Sequence, residues 1–305
     1  MLLSKDQEFH VHHGDCIEHM PTMPPASIDM AIYSVPFPAM YAYTSEACDI
    51  GNSEELKHEA KLHFSFFFNQ FAWLIKSGRV CIVHCMQIPR MKRSGEVGLN
   101  DFRGMLIRSG ERAGLVYEYD WLVRKNPQSQ AIRTKSRELQ FVGLENDRAK
   151  SRGCLGDYLI KFRAPGENDT PINQAGEVSR QNWIDWAEPC WMDVQETDTL
   201  NTAAAKTEGD LKHICPLQLE VIRRCVLLYS NPGEIVFSPF TGIGSEGYIA
   251  LGGKSPKTGK RIELPRRFYG CEIKPEYHAE ANKNLAKAVK MRKNEEQPVL
   301  PGFDA

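Results

Sequence analysis

The segment Ile28-Asp29-Met30-Ala31-Ile32-Tyr33 places apolar residues at both odd and even positions, so as a strand it is apolar on both faces. Such a strand must be covered on both sides, which is the situation at the centre of a parallel sheet with helices above and below. It runs into Ser34-Val35-Pro36-Phe37-Pro38, where two prolines stop ladder pairing and impose a loop. The rest of the chain supplies what such a sheet needs. Phe9 to His13, Val80 to His84, Leu115 to Arg124, Glu234 to Phe237 and Phe268 to Ile273 read as further strands. Helical patterns fall between them at Glu54 to Ile75, Phe102 to Ala113, Pro216 to Ser230, a stretch running into Leu251, and Pro275 to Lys290. The first of these carries Phe64, Phe67, Phe68, Phe71 and Leu74 on one face, a core stripe that Ser77-Gly78 terminates. This alternation predicts an α/β fold built on a mostly parallel central sheet.

At 305 residues the chain can bury one substantial α/β core and carry an insertion. Periodicity weakens from Ala164 to Asp210, a stretch rich in Gly, Pro, Asn and acidic residues that also holds Trp183, Trp186 and Trp191. The expected organisation is therefore one half-domain over 1–165, a small insertion over 166–210, a second half-domain over 211–293 and a flexible tail over 294–305. No apolar run approaches the roughly 18 residues needed to span a bilayer, and Met1 to His10 holds no apolar leader, so a cytoplasmic location is expected. Nine cysteines without CxxC spacing suggest neither a disulfide framework nor a metal site, and Cys81 and Cys85 read as buried free thiols.

A net charge of −1 excludes a generic polyanion binder, so any affinity for nucleic acid must come from local patches. Trp121 to Arg163 holds ten Lys/Arg against four Asp/Glu, and Lys254 to Lys293 holds twelve against four. Between them, Gly166 to Asp210 holds two basic and ten acidic residues. Runs of this kind are also what solvated faces look like.

Two short motifs carry chemistry. Ser238-Pro239-Phe240-Thr241-Gly242-Ile243-Gly244-Ser245 follows a strand and opens a helix, where glycines let backbone approach a ligand. Some thirty residues on, Gly270-Cys271-Glu272 puts a carboxylate at the end of the next strand, the position from which ribose hydroxyls are held. Together they favour a nucleoside cofactor over a purely structural turn. The loop Ser34-Val35-Pro36-Phe37 offers a hydroxyl, a backbone carbonyl and an aromatic ring, the three things needed to orient the exocyclic amine of a base and hold the base itself. A proline-rich turn with Phe37 packed inward is the alternative.

Taken in order, Gly14-Asp15-Cys16, Ser34-Val35-Pro36-Phe37, His213-Ile214-Cys215-Pro216-Leu217, the glycine turn and Gly270-Cys271-Glu272 resemble the N4-cytosine/N6-adenine DNA methyltransferase family of β-class motif order. Phage and prophage members are especially similar over His213 to Leu251. The resemblance implies a Rossmann-like fold with circularly permuted motifs and S-adenosylmethionine as cofactor. It implies that Ser34, Val35, Pro36 and Phe37 form the catalytic loop, with Phe37 stacked on a flipped base and Ser34 and the Val35 carbonyl accepting from its amine. Phe240, Gly242 and Gly244 would line the methionine half of the cofactor, with Ser238, Pro239 and Ser245 beside them. Glu272 would hold the ribose, Asp15 and Cys16 would lie near the adenine, and Pro216 and Leu217 would border the same pocket. The chain departs from the family pattern at Val35, where the first of two prolines is usual, and at Ser238, where Asp is common.

The implied substrate is double-stranded DNA, clamped by Lys125, Arg133, Lys135, Arg137, Arg148, Lys150 and Arg152, with 166–210 in the place of target recognition or, through its tryptophans, of a homodimer contact. Serine at the head of the catalytic loop resembles the N4-cytosine pattern more than the N6-adenine one. In the tail, Gln297, Leu300 and Phe303 resemble peptides that dock on the bacterial sliding clamp, against the alternative of an inert or folded-back terminus. Methylation of RNA or of a protein amide, and binding without catalysis, stay open as competing readings.

Overall fold

The computed structural model describes residues 2–38, 49–53, 59–90, 98–134, 141–173, 176–201 and 216–296. In chain order these form β1 (Phe9–His13), α1 (Cys16–His19), β2 (Ile28–Ser34), α2 (Glu59–Leu74), β3 (Ile75–Cys85), β4 (Ile88–Arg90), β5 (Gly98–Asn100), α3 (Phe102–Arg112), β6 (Val116–Val123), α4 (Pro127–Thr134), α5 (Phe141–Asn146) and β7 (Asp157–Arg163). They continue with α6 (Arg180–Trp186), β8 (Cys190–Trp191), α7 (Leu219–Tyr229), β9 (Ile235–Ser238), α8 (Ser245–Ala250), β10 (Arg267–Glu272) and α9 (Pro275–Glu296).

Eight strands make one sheet in the order β1-β10-β9-β2-β3-β7-β6-β8. From β1 across to β3 all neighbours are parallel. β7 is antiparallel to β3 and β6, and β8 runs parallel to β6. The two-faced strand read from the sequence is β2, at the centre. Met30 and Ile32 enter one core, with α7, α8 and α9, while Ala31 and Tyr33 enter the other, with α2 and α3. Its one charged member, Asp29, accepts from the Ile235 N–H at 2.8 Å and pairs with Lys76, tying the starts of β2 and β9 across 206 positions of chain. A burial of that kind leaves few neutral substitutions along the strand.

The aromatic stripe of α2 is core, as its spacing required, with Phe64, Phe67, Phe68, Phe71 and Leu74 fully buried. The expected stop at Ser77-Gly78 falls earlier. The helix ends at Leu74 and β3 begins at once, because Ile28 of β2 already pairs with Ile75. Gly78 instead lies within β3, where the pairing with β2 shifts register between Ile75 and Val80, with φ 67 and a Cβ position 2.5 Å from the Asn168 backbone nitrogen.

Among the elements that were not anticipated are β7 and β8. β7 lies within the basic stretch, where charges interrupt its alternation, yet it buries Leu159, Ile160 and Phe162 against β3. The described part of 166–210 is also no detached module. β8 extends the main sheet, and Trp186 and Trp191 are buried with Trp121, the Trp186 carbonyl accepting from both other indoles at 3.1 Å. Only Trp183 of the three is exposed, beside Ile184. The last helix extends to Glu296, held by Arg292 and Lys293 on Glu8, so residues 294–296 are helical rather than part of a loose tail. Gln297, Leu300 and Phe303 lie outside the described residues. No described helix is long and apolar enough to cross a membrane.

Candidate active site

Because β1, β10, β9, β2 and β3 are parallel, their carboxyl ends share one edge of the sheet, and ligands of open α/β sheets bind at such an edge. Four of the five turns there are the motifs read from the sequence: Gly14-Asp15-Cys16 after β1, Ser34 to Phe37 after β2, the glycine turn after β9 and Glu272 at the end of β10. β9 and β2 are direct neighbours, so the permuted motif order puts the glycine turn beside the Ser34 loop.

The result is a single cleft. Asp15, Cys16, Ser34, Val35, Pro36, Phe37, Pro216, Leu217, Pro239, Phe240, Gly242, Ser245 and Glu272 all line it. Ser238 and Gly244 do not. Ser238 is fully buried beneath the turn, its carbonyl accepting from Thr241 Oγ1 at 3.0 Å. Gly244, expected to line the methionine half of the cofactor, instead faces α9: a Cβ there would lie 2.5 Å from Leu285 Cδ1, and φ is 87. That glycine is required by helix packing and by its left-handed backbone.

Each motif is braced from behind. Glu272 accepts from the Gly242 N–H at 2.7 Å and from the Lys274 N–H at 2.9 Å, so its carboxylate ties the turn to the strand end while each oxygen keeps a second lone pair. Burial pushes this carboxyl up to about 7 against the pull of those two donors. Asp15 caps α1 through the Ile17 N–H at 2.8 Å, and burial raises it too. Phe240 rests on the α2 stripe, 5.1 Å from the Phe67 ring and 5.8 Å from Tyr33. Val35 sends its side chain into the core and donates its N–H to the His84 carbonyl at 3.2 Å, which anchors the loop just before the Val35 carbonyl. Phe37 is half-buried, edge-on to His84 and tilted against Phe102.

The cleft also holds residues to which the sequence motifs gave no individual role: Asp49, Ile50, Thr241, Ile243, Glu246, Cys271, Ile273 and Tyr277. Glu246, next to the glycine turn, is buried, and burial lifts its carboxyl to about 8. Ser245 Oγ is buried without a partner. Among the described residues the lining therefore contains four carboxylates, Asp15, Asp49, Glu246 and Glu272, and no Lys, Arg or His. Such a cleft offers no cation to the pyrophosphate of a dinucleotide and suits a ligand carrying positive charge, hydroxyls and an apolar ring. Behind the Ser34 loop, Ser34 Oγ is 2.7 Å from His84 Nδ1, and His84 Nε2 is 2.9 Å from Asp157 Oδ2.

The candidate DNA clamp divides. The chain from 124 to 156 leaves the sheet at the carboxyl end of β6 and returns at the start of β7, the same edge as the cleft. Arg148 is exposed and Arg152 half-exposed, and Arg133 and Lys150 lie on the same stretch. Lys135 and Arg137 lie outside the described residues. Lys125 must be taken off the clamp: it is buried and its ammonium is 2.5 Å from Asp157, so it cannot reach a phosphate without exposing that carboxylate. Lys161 and Arg163 are likewise occupied by Glu118.

The fold and cleft define an α/β methyltransferase of the Rossmann-like kind, with the glycine turn and the Ser34 loop side by side at one sheet edge. A family model described as DNA methylase, of the N6/N4 type, matches residues 44–283, and the chain belongs to that family. Among solved structures, a candidate DNA modification methylase from Thermus thermophilus, complexed with S-adenosyl-L-methionine, superposes with TM-score 0.65 at 16% identity over 93% of this chain and 94% of that one. PvuII DNA methyltransferase, which is cytosine-N4-specific, superposes with TM-score 0.62 at 16% identity over 96% and 97%. No curated protein sequence matches the chain.

Proposed function

We propose that this DNA methylase transfers a methyl group from S-adenosylmethionine to the N4 amino group of a cytosine flipped out of double-stranded DNA. The observation that carries the reading is the single cleft in which the Ser34 to Phe37 loop faces the glycine turn and Glu272. Its residues suit the cofactor: carboxylates for the ribose hydroxyls and the ammonium, an unpartnered buried hydroxyl at Ser245, and apolar walls from Phe240, Leu217 and Ile50. Bound there, S-adenosylmethionine supplies a methyl group on a sulfonium; as the N–C bond forms, the S–C bond breaks with its electron pair kept by sulfur.

The protein's own residues then orient and hold. Glu272 accepts from ribose hydroxyls, and Asp15 lies near the adenine. Phe37 stacks on the extruded base, while Ser34 Oγ and the Val35 carbonyl accept from its amine and turn the nitrogen lone pair toward the methyl. Arg133, Arg148, Lys150 and Arg152, on the connection at the cleft edge, supply phosphate contacts. The lean to cytosine rests on serine at the head of the loop. The exposed Trp183 and Ile184 are the surface for self-association, testable by light scattering, and clamp docking through Gln297, Leu300 and Phe303 is testable by pull-down.

The deciding experiment incubates the protein with labelled S-adenosylmethionine and duplex DNA, RNA or protein in parallel and reads the nucleosides by mass spectrometry. Label in DNA as N4-methylcytosine is expected. N6-methyladenine alone reverses the base, label only in RNA or protein moves the substrate, and cofactor binding without turnover leaves a binding protein.

A further inference from the structure

The geometry points to a positioning role for His84, which fixes Ser34 as a hydrogen-bond acceptor for the target amine and receives, through Ser34, the proton that the methylated nitrogen sheds. The inference rests on the methyltransferase reading and deepens it. Ser34 and His84 are direct partners in the β2–β3 register, so their contact is set by the sheet rather than by a flexible loop. The distance from Ser34 Oγ to His84 Nδ1 is 2.7 Å, that of a hydrogen bond between a hydroxyl and an imidazole nitrogen. On its far side, His84 Nε2 lies 2.9 Å from Asp157 Oδ2, a close electrostatic contact although not a well-aligned hydrogen bond. Lys125 sits 2.5 Å from the same oxygen. All three of these outer groups are buried.

A serine hydroxyl has one hydrogen, and its direction decides whether the oxygen accepts from an amine or opposes it. Burial pushes the Asp157 carboxyl up, but the His84 ring and the Lys125 ammonium outweigh it and hold the group below its ordinary value; with the ring neutral, the ammonium 2.5 Å away still pairs with the carboxylate, so Asp157 is ionised. An anion beside Nε2 keeps the ring hydrogen on that nitrogen and leaves Nδ1 as an acceptor. The Ser34 hydrogen then points at Nδ1, and the lone pairs of Oγ face the cleft. When the amine nitrogen gains the methyl it becomes cationic and must lose one hydrogen. That proton passes to Ser34 Oγ as the Ser34 hydrogen passes to Nδ1, leaving His84 as an imidazolium opposite Asp157. Release of one proton from His84 to solvent resets the site, and no other reactant is needed.

At low pH the hydrogen-bond direction reverses. Protonated His84 donates from Nδ1 to Ser34, the hydroxyl hydrogen turns to the cleft, and the acceptor for the amine is lost. Among the described residues the ionisable group in contact with His84 is Asp157 on β7, whose same carboxylate oxygen pairs with Lys125 after β6; from β2 His84 meets the Ser34 hydroxyl and from the loop the Phe37 ring.

The test combines nitrogen-15 NMR of the histidine rings with kcat against pH for wild type, His84→Asn and His84→Phe, each checked for S-adenosylmethionine binding by calorimetry. In wild type near pH 7.5, Nδ1 should show the shift of an unprotonated nitrogen, and kcat should fall on the acid side along one ionisation. His84→Asn keeps an acceptor beside Ser34 that cannot take a proton, so kcat should drop about tenfold and lose the acid limb, while His84→Phe should lose about 100-fold or more. Cofactor affinity should stay within about threefold in both, since the pair lies behind the Ser34 loop. A protonated Nδ1, an acid limb retained in His84→Asn, or normal turnover in His84→Phe overturns the proposal. If wild type methylates no nucleic acid, the proposed function fails, and the ring-nitrogen signal still decides the Ser34–His84 arrangement.

Discussion

Replacing Glu246 by Gln should make the empty protein more stable and the cofactor weaker, with an effect that depends on pH. Glu246 is 3% exposed in a cleft that already holds Glu272, and burial raises its carboxyl from 4.5 to about 8, with Glu272 adding to the rise. In the unfolded chain the group ionises near 4.5. The folded protein therefore holds a proton that the unfolded one has lost, and stability falls as pH climbs from about 4.5 to about 8. At about 1.4 kcal/mol per unit, the full penalty is on the order of 5 kcal/mol, shared with Glu272 because the two groups repel each other. Gln is nearly the same size and carries no charge, so half of that gain, roughly 2–3 kcal/mol, is expected above about pH 8, or ~5 °C in Tm for a domain of this size. A cationic cofactor reverses the balance: it favours the ionised carboxylate, so its affinity for wild type should rise from about pH 6 to pH 8 with proton release, and Glu246→Gln should bind it about tenfold more weakly. Scanning calorimetry from about pH 5 to pH 9, with and without S-adenosylmethionine, reads both effects. Equal Tm for the two proteins above about pH 8, or a difference that does not shrink toward pH 5, would refute the reasoning.

Glu272→Ala should weaken cofactor binding by about tenfold or more, since it removes the proposed acceptor for ribose hydroxyls and unties Gly242 and Lys274 as well; unchanged affinity by calorimetry sinks the assignment. Ser34→Ala and Phe37→Ala should abolish methyl transfer while leaving cofactor affinity nearly intact, because both side chains sit on the β2 loop and not on the cofactor turn; normal turnover of Phe37→Ala rules out base stacking. Gly244→Ala should cost on the order of 3 kcal/mol, from a left-handed φ and a Cβ driven into Leu285 and Ala281, and a denaturant midpoint equal to wild type would show the turn to be laxer than its contacts imply.

Most of the site was legible from the sequence because a parallel sheet makes local motifs additive. Once Ile28 to Tyr33 is assigned to the middle of such a sheet, the loops after parallel strands must gather at one edge, whatever their order in the chain. Asp15, Ser34, Gly242 and Glu272 could thus be joined from strand ends alone, and the family resemblance in the same motifs pointed to the same chemistry. What depends on which strand lies beside which, and in what register, was not legible. His84 is an ordinary strand-end histidine until β3 is placed next to β2 with His84 opposite Ser34. Asp157 is one of four acids in a basic stretch until β7 folds back antiparallel on β3. Lys125 shows the converse: its charge can be read from the sequence, but its burial against Asp157 cannot, and so a residue assigned to DNA belongs to the interior. Trp186 and Trp191 likewise look like an insertion's surface and turn out to be core, because β8 adds to the sheet through two residues, too short a strand for any alternation to show. Residue type and local period determine which elements form and what chemistry they carry; pairing across the sheet decides which buried charges meet, because only there are groups from distant positions brought within the few ångströms over which hydrogen bonds and ion pairs act.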